Sequence, residues 1–390
     1  MTSYQILLSA NGAENRVELL RNTILLRLQE LGIEPGAVSF FDDAGISSRD
    51  HKAPTVGAFL STAKNPASRT GIAELVQAGV MVVPVVDNLE HFNDFVFDEL
   101  RGINGMEFRA DDQHMERVAG VLLEGLNLIR RSRRLFISYR RSETQGIAIQ
   151  LYEALDHNGF DVFLDTLSIR PGEQFQDVLW HRLADTDVIV LLDSPGFLAS
   201  RWTTKELAAA NSTSIQVLQL LWPGNQLNAN AAFSKAMPVE SKDFQSSNIN
   251  LGPDARLKDA VVKKVVVQAE SLRARALAAR HSYLVEEFCA EARQIGLNPR
   301  VQPERFITVE SRSGKFAAAV PAVGVPDALR YHEIEDELSK HQKQHSEVIL
   351  LYDERGIQEK WLKHLSWLDS HKLRVRSVQV AQCASWLRSL

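Results

Sequence analysis

The stretch Asp187-Val188-Ile189-Val190-Leu191-Leu192 is apolar without interruption after its first residue. A strand with one wet face alternates in polarity. An unbroken run instead marks a strand covered on both faces, as in a parallel sheet sandwiched by helices. Its surroundings agree. Leu135 to Tyr139 and Asp161 to Leu164 read as strands, with Ile147, Leu151 and Leu155 on one helix face between them and a stop at Asn158-Gly159. Phe175, Val178, Leu179 and Leu183 mark a second helix, residues 215–221 a further strand, and Asp254 to about Arg280 a closing helix. Strands alternating with helices give an α/β fold with a mainly parallel sheet.

At 390 residues the chain exceeds one ordinary domain, and three α/β blocks are expected, at 1–130, 133–280 and 281–390. In the first, Tyr4 to Ala10, Val38 to Phe41 and Val80 to Val86 read as strands, with Pro84 placing the last near a sheet edge. Val17, Leu20, Ile24, Leu25 and Leu28 recur at helical spacing up to Gly32. This block follows the order of the middle one without its Trp-x-x-x-Glu. In the third, Arg305 to Val309 and Glu347 to Tyr352 read as strands, Gly356 to Leu368 as an amphipathic helix, and the Ala- and Gly-rich 314–326 as a loop.

The composition narrows the function classes. A net charge of −5 speaks against direct nucleic-acid binding, which needs clustered cations. Arg130, Arg131, Arg133 and Arg134 form a local basic run, read as a solvated linker or an anion contact. The two cysteines, Cys289 and Cys383, have no metal or redox spacing and suit a reducing cytosol. No basic leader opens the chain and its longest apolar stretch, Ala78 to Val86, is too short for a bilayer, so a cytoplasmic protein without membrane contact is expected. There is no G-x-G-x-x-G, Walker loop or H-E-x-x-H, and no metal site is expected.

The chemistry-bearing phrases come in one order: Leu135 to Arg141, Phe163-Leu164-Asp165, Arg170-Pro171-Gly172-Glu173, and Ser200 to Glu206. Ligands of an open parallel sheet sit outside the carboxyl ends of its strands, and Tyr139-Arg140, Asp165 and residues 194–206 all follow predicted strand ends. In Trp202-x-x-x-Glu206 the spacing puts both side chains on one helix face, one turn apart. An indole stacks on a planar ring, and a fixed carboxylate stabilises the cation-like sugar formed as a glycosidic bond breaks. A second reading stands beside it: Thr203-x-x-Glu206 is also a capping box, with Trp202 a packing residue.

Residues 133–280 resemble a Toll/interleukin-1 receptor (TIR) domain. Leu135 to Arg141 is similar to the family's first box, Asp165 to Gly172 to its loop box, and Val190 to Pro195 with Ser200-x-Trp202 to its third segment. The resemblance implies a flavodoxin-like fold with a central five-stranded parallel sheet. It further implies NAD⁺ as substrate, no cofactor, Glu206 as the catalytic carboxylate, Trp202 near the ring, and Ser138, Tyr139, Arg140 and Asp165 near ribose and phosphates. The leaving nicotinamide is already a pyridinium and needs no general acid. Arg170, Pro171 and Gly172 would belong to a loop for self-association through TIR domains.

Alternatives remain at single positions: a surface ion pair for Arg140, a turn former for Asp165, loop shaping for Pro171-Gly172. The implied reaction is cleavage of the nicotinamide–ribose bond to ADP-ribose or a cyclic isomer, in an anti-phage effector switched on by assembly. The flanking blocks would sense or assemble. The alternative is a scaffold that binds other TIR domains without turnover. The phrase Leu220-Leu221-Trp222-Pro223-Gly224 departs from the family pattern and puts the sheet edge there in question.

Overall fold

The computed structural model describes residues 4–51, 53–107, 112–164, 175–197, 213–225, 234–246, 250–302, 304–339, 345–371 and 373–390. The chain divides into two compact units. One comprises residues 1–132 with 259–274, the other residues 133–258 with 275–390.

The first unit holds a five-stranded parallel sheet built from β1 (Tyr4–Asn11), β2 (Val38–Phe41), β3 (Thr55–Ser61), β4 (Val82–Val86) and β5 (Met106–Glu107), in the order β2-β1-β3-β4-β5. Helices α1 (Glu14–Glu30), α2 (Thr70–Gln77), the single turn α3 (Phe92–Phe95) and α4 (Asp112–Gly125) connect or follow the strands. Leu7, Phe59, Ile72, Leu75 and Phe97 lie in one buried cluster against the sheet. The sequence reading did not pick out β3: Thr55, Val56 and Phe59 suit a strand, but Gly57 and Ala58 interrupt the run. Pro84 sits where the sequence reading put it: β5 pairs only with Val85 and Val86, so β4 at Pro84 has a neighbour on one side.

In the second unit β6 (Arg134–Ser138), β7 (Asp161–Leu164), β8 (Val188–Asp193), β9 (Gln216–Leu221) and β10 (Lys235–Pro238) form a parallel sheet in the order β10-β9-β8-β6-β7. Read from the other edge, this is the same path through the strands as in the first sheet. All six residues of β8 are buried, as an unbroken apolar run requires. Helix α5 (Arg141–His157) buries Ile147, Leu151 and Leu155, and Gly159 reverses the chain after it at φ +80°. Helix α6 (Phe175–Ala184) leads into β8. The departure at Trp222 leaves the sheet regular: β9 ends at Leu221, Trp222 is buried and donates from its indole to the Asn250 carbonyl at 2.8 Å, and β10 adds the edge strand.

Two expectations need correction. The closing helix, α7, runs from Asp259 to Gln294 rather than stopping near Arg280, because apolar positions continue at Leu284, Phe288 and Ala292 and nothing breaks the helix before Gly296. Within 314–326, Phe316–Pro321 is a strand, β13, with five of its six residues buried. Its Ala317-Ala318-Ala319 core lacks β-branched residues, but burial on both faces overrides that weak propensity. Strand β13 lies in a third sheet, ordered β11-β12-β13-β14-β15, with β11 (Arg300–Val301), β12 (Ile307–Glu310), β14 (Glu347–Tyr352) and β15 (Val375–Gln379). Strands β11 to β13 are antiparallel and β13 to β15 parallel. Helices α8 (Ala328–Ser339) and α9 (Glu359–Ser370) contribute to one of its cores, and α7 with α10 (Cys383–Ser389) to the other. The architecture is therefore a parallel-sheet α/β module flanked by two further α/β modules.

Candidate functional site

In the middle sheet the chain passes from β6 outward to β7, then crosses back to β8 on the far side of β6. The crevice between the carboxyl ends of β6 and β8 is the point where an open α/β sheet binds its ligands. Ser138 closes β6 and pairs in register with Leu191, two residues before β8 ends at Asp193. The Ser138 side chain is fully buried, and its hydroxyl has no hydrogen-bond partner among the described residues. A buried hydroxyl of this kind costs on the order of 1–3 kcal/mol until something bonds to it. Tyr139 follows, also buried.

The next residue, Arg140, reaches across the crevice. Its Nη1 donates to the carbonyl of Gly196 at 2.7 Å and lies 2.9 Å from Oε1 of Glu143. The other oxygen of Glu143 accepts the Gly196 N–H at 3.0 Å. One carboxylate and one guanidinium thus hold both polar groups of a single residue in the turn after β8. A Cβ at Gly196 would overlap Arg140 Nη1 and Glu143 Oε1, so these two side chains hold their present places only because the residue between them is glycine. Glu143 is itself fixed through its backbone. The first turn of α5 is broken at Thr144 (φ −128°, ψ 20°), and the Glu143 carbonyl accepts instead from the Gly252 N–H at 2.6 Å. Burial pushes the Glu143 carboxyl up, but the Ser194 hydroxyl, the Gly196 N–H and the Arg140 charge together outweigh it, and the group ionises below its ordinary value.

Behind this turn, Asp193 is wholly buried. Its Oδ2 accepts from the Gln219 amide at 2.8 Å, and its main-chain carbonyl from the Asn225 amide, also at 2.8 Å. Burial raises its pKa despite the amide bonds from Gln219 and Asn225. Phe197, on the other side of the turn, is buried in the core with Phe136 and Leu191. The turn from Ser194 to Phe197 is anchored before, within and after Gly196.

Of the residues singled out in the sequence, the structure brings Ser138, Tyr139 and Arg140 to the mouth of this crevice. Asp165, Arg170, Pro171, Gly172, Trp202 and Glu206 lie outside the described residues. Sequence reasoning missed Glu143, Asp193 and Gly196. For Glu143 the signal was present: an acid three residues after Arg140, in the first turn of a helix, is within ion-pair reach. For Asp193 and Gly196 there was none, as both depend on partners distant in sequence. Among the described residues no group of three or more His, Cys, Asp or Glu side chains converges to hold a metal. Among them, too, no helix is long and apolar enough to cross a membrane. The two thiols are buried and free, and burial pushes Cys383 up to about 11, away from nucleophilic use.

A family model described as a TIR domain matches residues 135–243. Residues 135–243 are a TIR domain. Over 72 residues the chain is 31% identical to the 2' cyclic ADP-D-ribose synthase BtTIR of Bacteroides thetaiotaomicron, covering 18% of this chain and 25% of that protein. The probable 2' cyclic ADP-D-ribose synthase BdTIR of Brachypodium distachyon is 32% identical over 75 residues, 19% of this chain and 34% of that protein. The chain thus spans about a quarter and a third of the curated relatives it matches. Among solved structures, the C-terminal domain of glucosamine-fructose-6-phosphate aminotransferase from Francisella tularensis is 11% identical, over 72% of this chain and 84% of that one. With a TM-score of 0.21 that superposition is too loose to bear on fold or function.

Proposed function

We propose that the TIR domain of this chain cleaves the nicotinamide–ribose bond of NAD⁺. The observation that carries the reading is the TIR match over 135–243, a span containing both Trp202 and Glu206, with relatives named as cyclic ADP-ribose synthases. Glu206 is the catalytic carboxylate and Trp202 stacks on the nicotinamide ring, while Ser138, Tyr139 and Asp165 face ribose and phosphates. The buried, unpartnered Ser138 hydroxyl at the strand end supports a polar ligand there. As the C–N bond breaks, its electron pair leaves with nicotinamide, which departs neutral. The ribosyl cation is held by the carboxylate until an oxygen nucleophile adds. Water adds through its oxygen and loses a proton to solvent, giving ADP-ribose, and a hydroxyl of the same molecule adding and losing its proton in the same way gives a cyclic isomer.

Turnover is switched on by self-association of TIR domains through the Arg170-Pro171-Gly172 loop, and the biological setting is defence against phage. The test is NAD⁺ consumption by the purified full chain under conditions that promote assembly. Glu206→Ala is expected to abolish turnover, and Glu206→Gln, which keeps the capping capacity but not the charge, to do the same. Equal NAD⁺ loss in wild type and Glu206→Ala refutes the assignment, and full activity in Glu206→Gln reduces Glu206 to a cap. Protection of cells from phage that is lost in Glu206→Ala checks the setting.

A further inference from the structure

The ring formed by Arg140, Glu143 and Gly196 bears on that reading in a way the sequence did not suggest. The turn at Ser194 to Phe197 is the last described backbone before the stretch that carries Trp202 and Glu206. Whatever fixes that turn fixes Phe197, after which that stretch follows in sequence. Asp193 and Phe197 anchor it by burial, and between them Gly196 has both its N–H and its C=O bonded to side chains. Those two groups are the ones held by Glu143 and Arg140.

The arrangement is also closed upon itself. Arg140 Nη1 serves the Gly196 carbonyl and the Glu143 carboxylate together, and the two side chains satisfy one another's charge. Turning Nη1 toward a phosphate would take its donor from the Gly196 carbonyl and its cation from the Glu143 carboxylate. The Glu143 main chain is independently tied to the Gly252 N–H.

We propose that Glu143 is a positioning residue for the TIR reaction, and that Arg140 works with it as the second half of a tie on Gly196 rather than as a ligand of the NAD⁺ pyrophosphate. The proposal rests on the NAD⁺-cleaving reading above. It predicts that the pair acts on the turnover step, through the placement of the segment after Gly196, and hardly on substrate affinity. A displacement of about 1 Å in a reacting group lowers a rate by up to roughly a hundredfold.

The experiment is steady-state NAD⁺ consumption by the full chain in Glu143→Ala, Glu143→Gln, Arg140→Ala and the Glu143→Ala/Arg140→Ala double variant. Hydrogen exchange of the peptide spanning Leu192 to Phe197 is measured alongside. Each alanine variant is expected to lower kcat by about tenfold or more, with KM for NAD⁺ within about twofold of wild type. The double variant falls no further than the worse single one, because both break the same ring. Glu143→Gln recovers part of kcat, since its amide oxygen still accepts the Gly196 N–H. Exchange at Gly196 speeds up in both alanine variants.

A rise in KM in Arg140→Ala with kcat unchanged, and no effect in Glu143→Ala, overturns the proposal in favour of a phosphate ligand. Unchanged exchange at Gly196 in Glu143→Ala overturns the tie, even if the variants are slow. Absence of turnover in the wild type overturns the NAD⁺ reading and the kinetic half of this one, and the exchange measurement still decides whether the tie exists.

Discussion

Two carboxylates flank the turn after β8, and their surroundings push them in opposite directions. Glu143 gains the Gly196 N–H and a cation, with the Ser194 hydroxyl near it, and ionises more readily than in the unfolded chain. Asp193 is wrapped in apolar strand and gains only neutral amides, so burial wins and it holds its proton more tightly. The consequences for stability have opposite signs. The Glu143 contribution is present above the ordinary value of 4.5 and is lost as pH falls through its lower folded value. The unfolded chain releases the Asp193 proton near 3.8, before the folded one does, so stability declines as pH rises from there to the folded value and then levels off. Asp193→Asn removes that decline while leaving one oxygen to accept from Gln219 or Asn225. The expected outcome is a flatter dependence of the urea midpoint on pH above 3.8, against an overall loss of about 1–3 kcal/mol from the donor left facing an NH₂ group. A slope identical to wild type would show that Asp193 ionises freely.

Elements were legible where one physical signal dominated. Strand β8 announced itself by its unbroken apolar run and α5 by Ile147, Leu151 and Leu155 on one face. Where the signal depends on tertiary burial, as in β13 with its three alanines, the sequence reads as loop. The close approach of α5 to the segment after it is another case, because it is set by an absent side chain. A Cβ at Gly146 would overlap the Pro253 carbonyl and Arg256 Nη1, and would stand 2.7 Å from the Ala255 carbonyl. The overlapping backbone belongs to the stretch that Gln150 holds by accepting from the Leu257 N–H and donating to its carbonyl, at 2.8 and 2.9 Å. It has little freedom to retreat. Alanine is the better helix former by about 1 kcal/mol, yet Gly146→Ala is expected to destabilise by about 1–3 kcal/mol because overpacking outweighs that gain. Thermal unfolding of the full chain reads the difference, and a raised midpoint would mean that the loop yields. The same logic explains why the mouth of the crevice was only half visible. Ser138 to Arg140 announce a strand end, whereas Glu143 and Gly196 matter through a contact spanning 53 residues.

At the scale of the whole molecule, the first and second sheets follow one strand path, but the pieces of chain that complete their units differ. Residues 1–132 pack with 259–274, the opening part of α7, so the first unit is discontinuous in sequence. Arg273 shows what that piece contributes. It is 2% exposed, its Nη1 lies 3.1 Å from the Glu124 carboxylate, and its Nη2 donates to the carbonyls of Arg130 and Ser132. Two residues earlier, Ser271 donates to Glu30, which shares Arg27 with Glu116 in a second buried network. A buried ion pair is weak evidence of net stability, but removing one partner strands the other, at about 3–5 kcal/mol. Arg273→Met keeps most of the apolar volume and removes the charge, taking one donor from Glu124 and from each of two carbonyls. The expected outcome is a lower midpoint for the unfolding of the first unit, by calorimetry of the full chain, with the transition of the second unit in place. The fragment 1–132 alone should likewise unfold at lower denaturant than the same fragment with 259–274 supplied as a peptide. If the peptide makes no difference, the Arg273 network contributes nothing that water cannot replace, and residues 1–132 complete their own core.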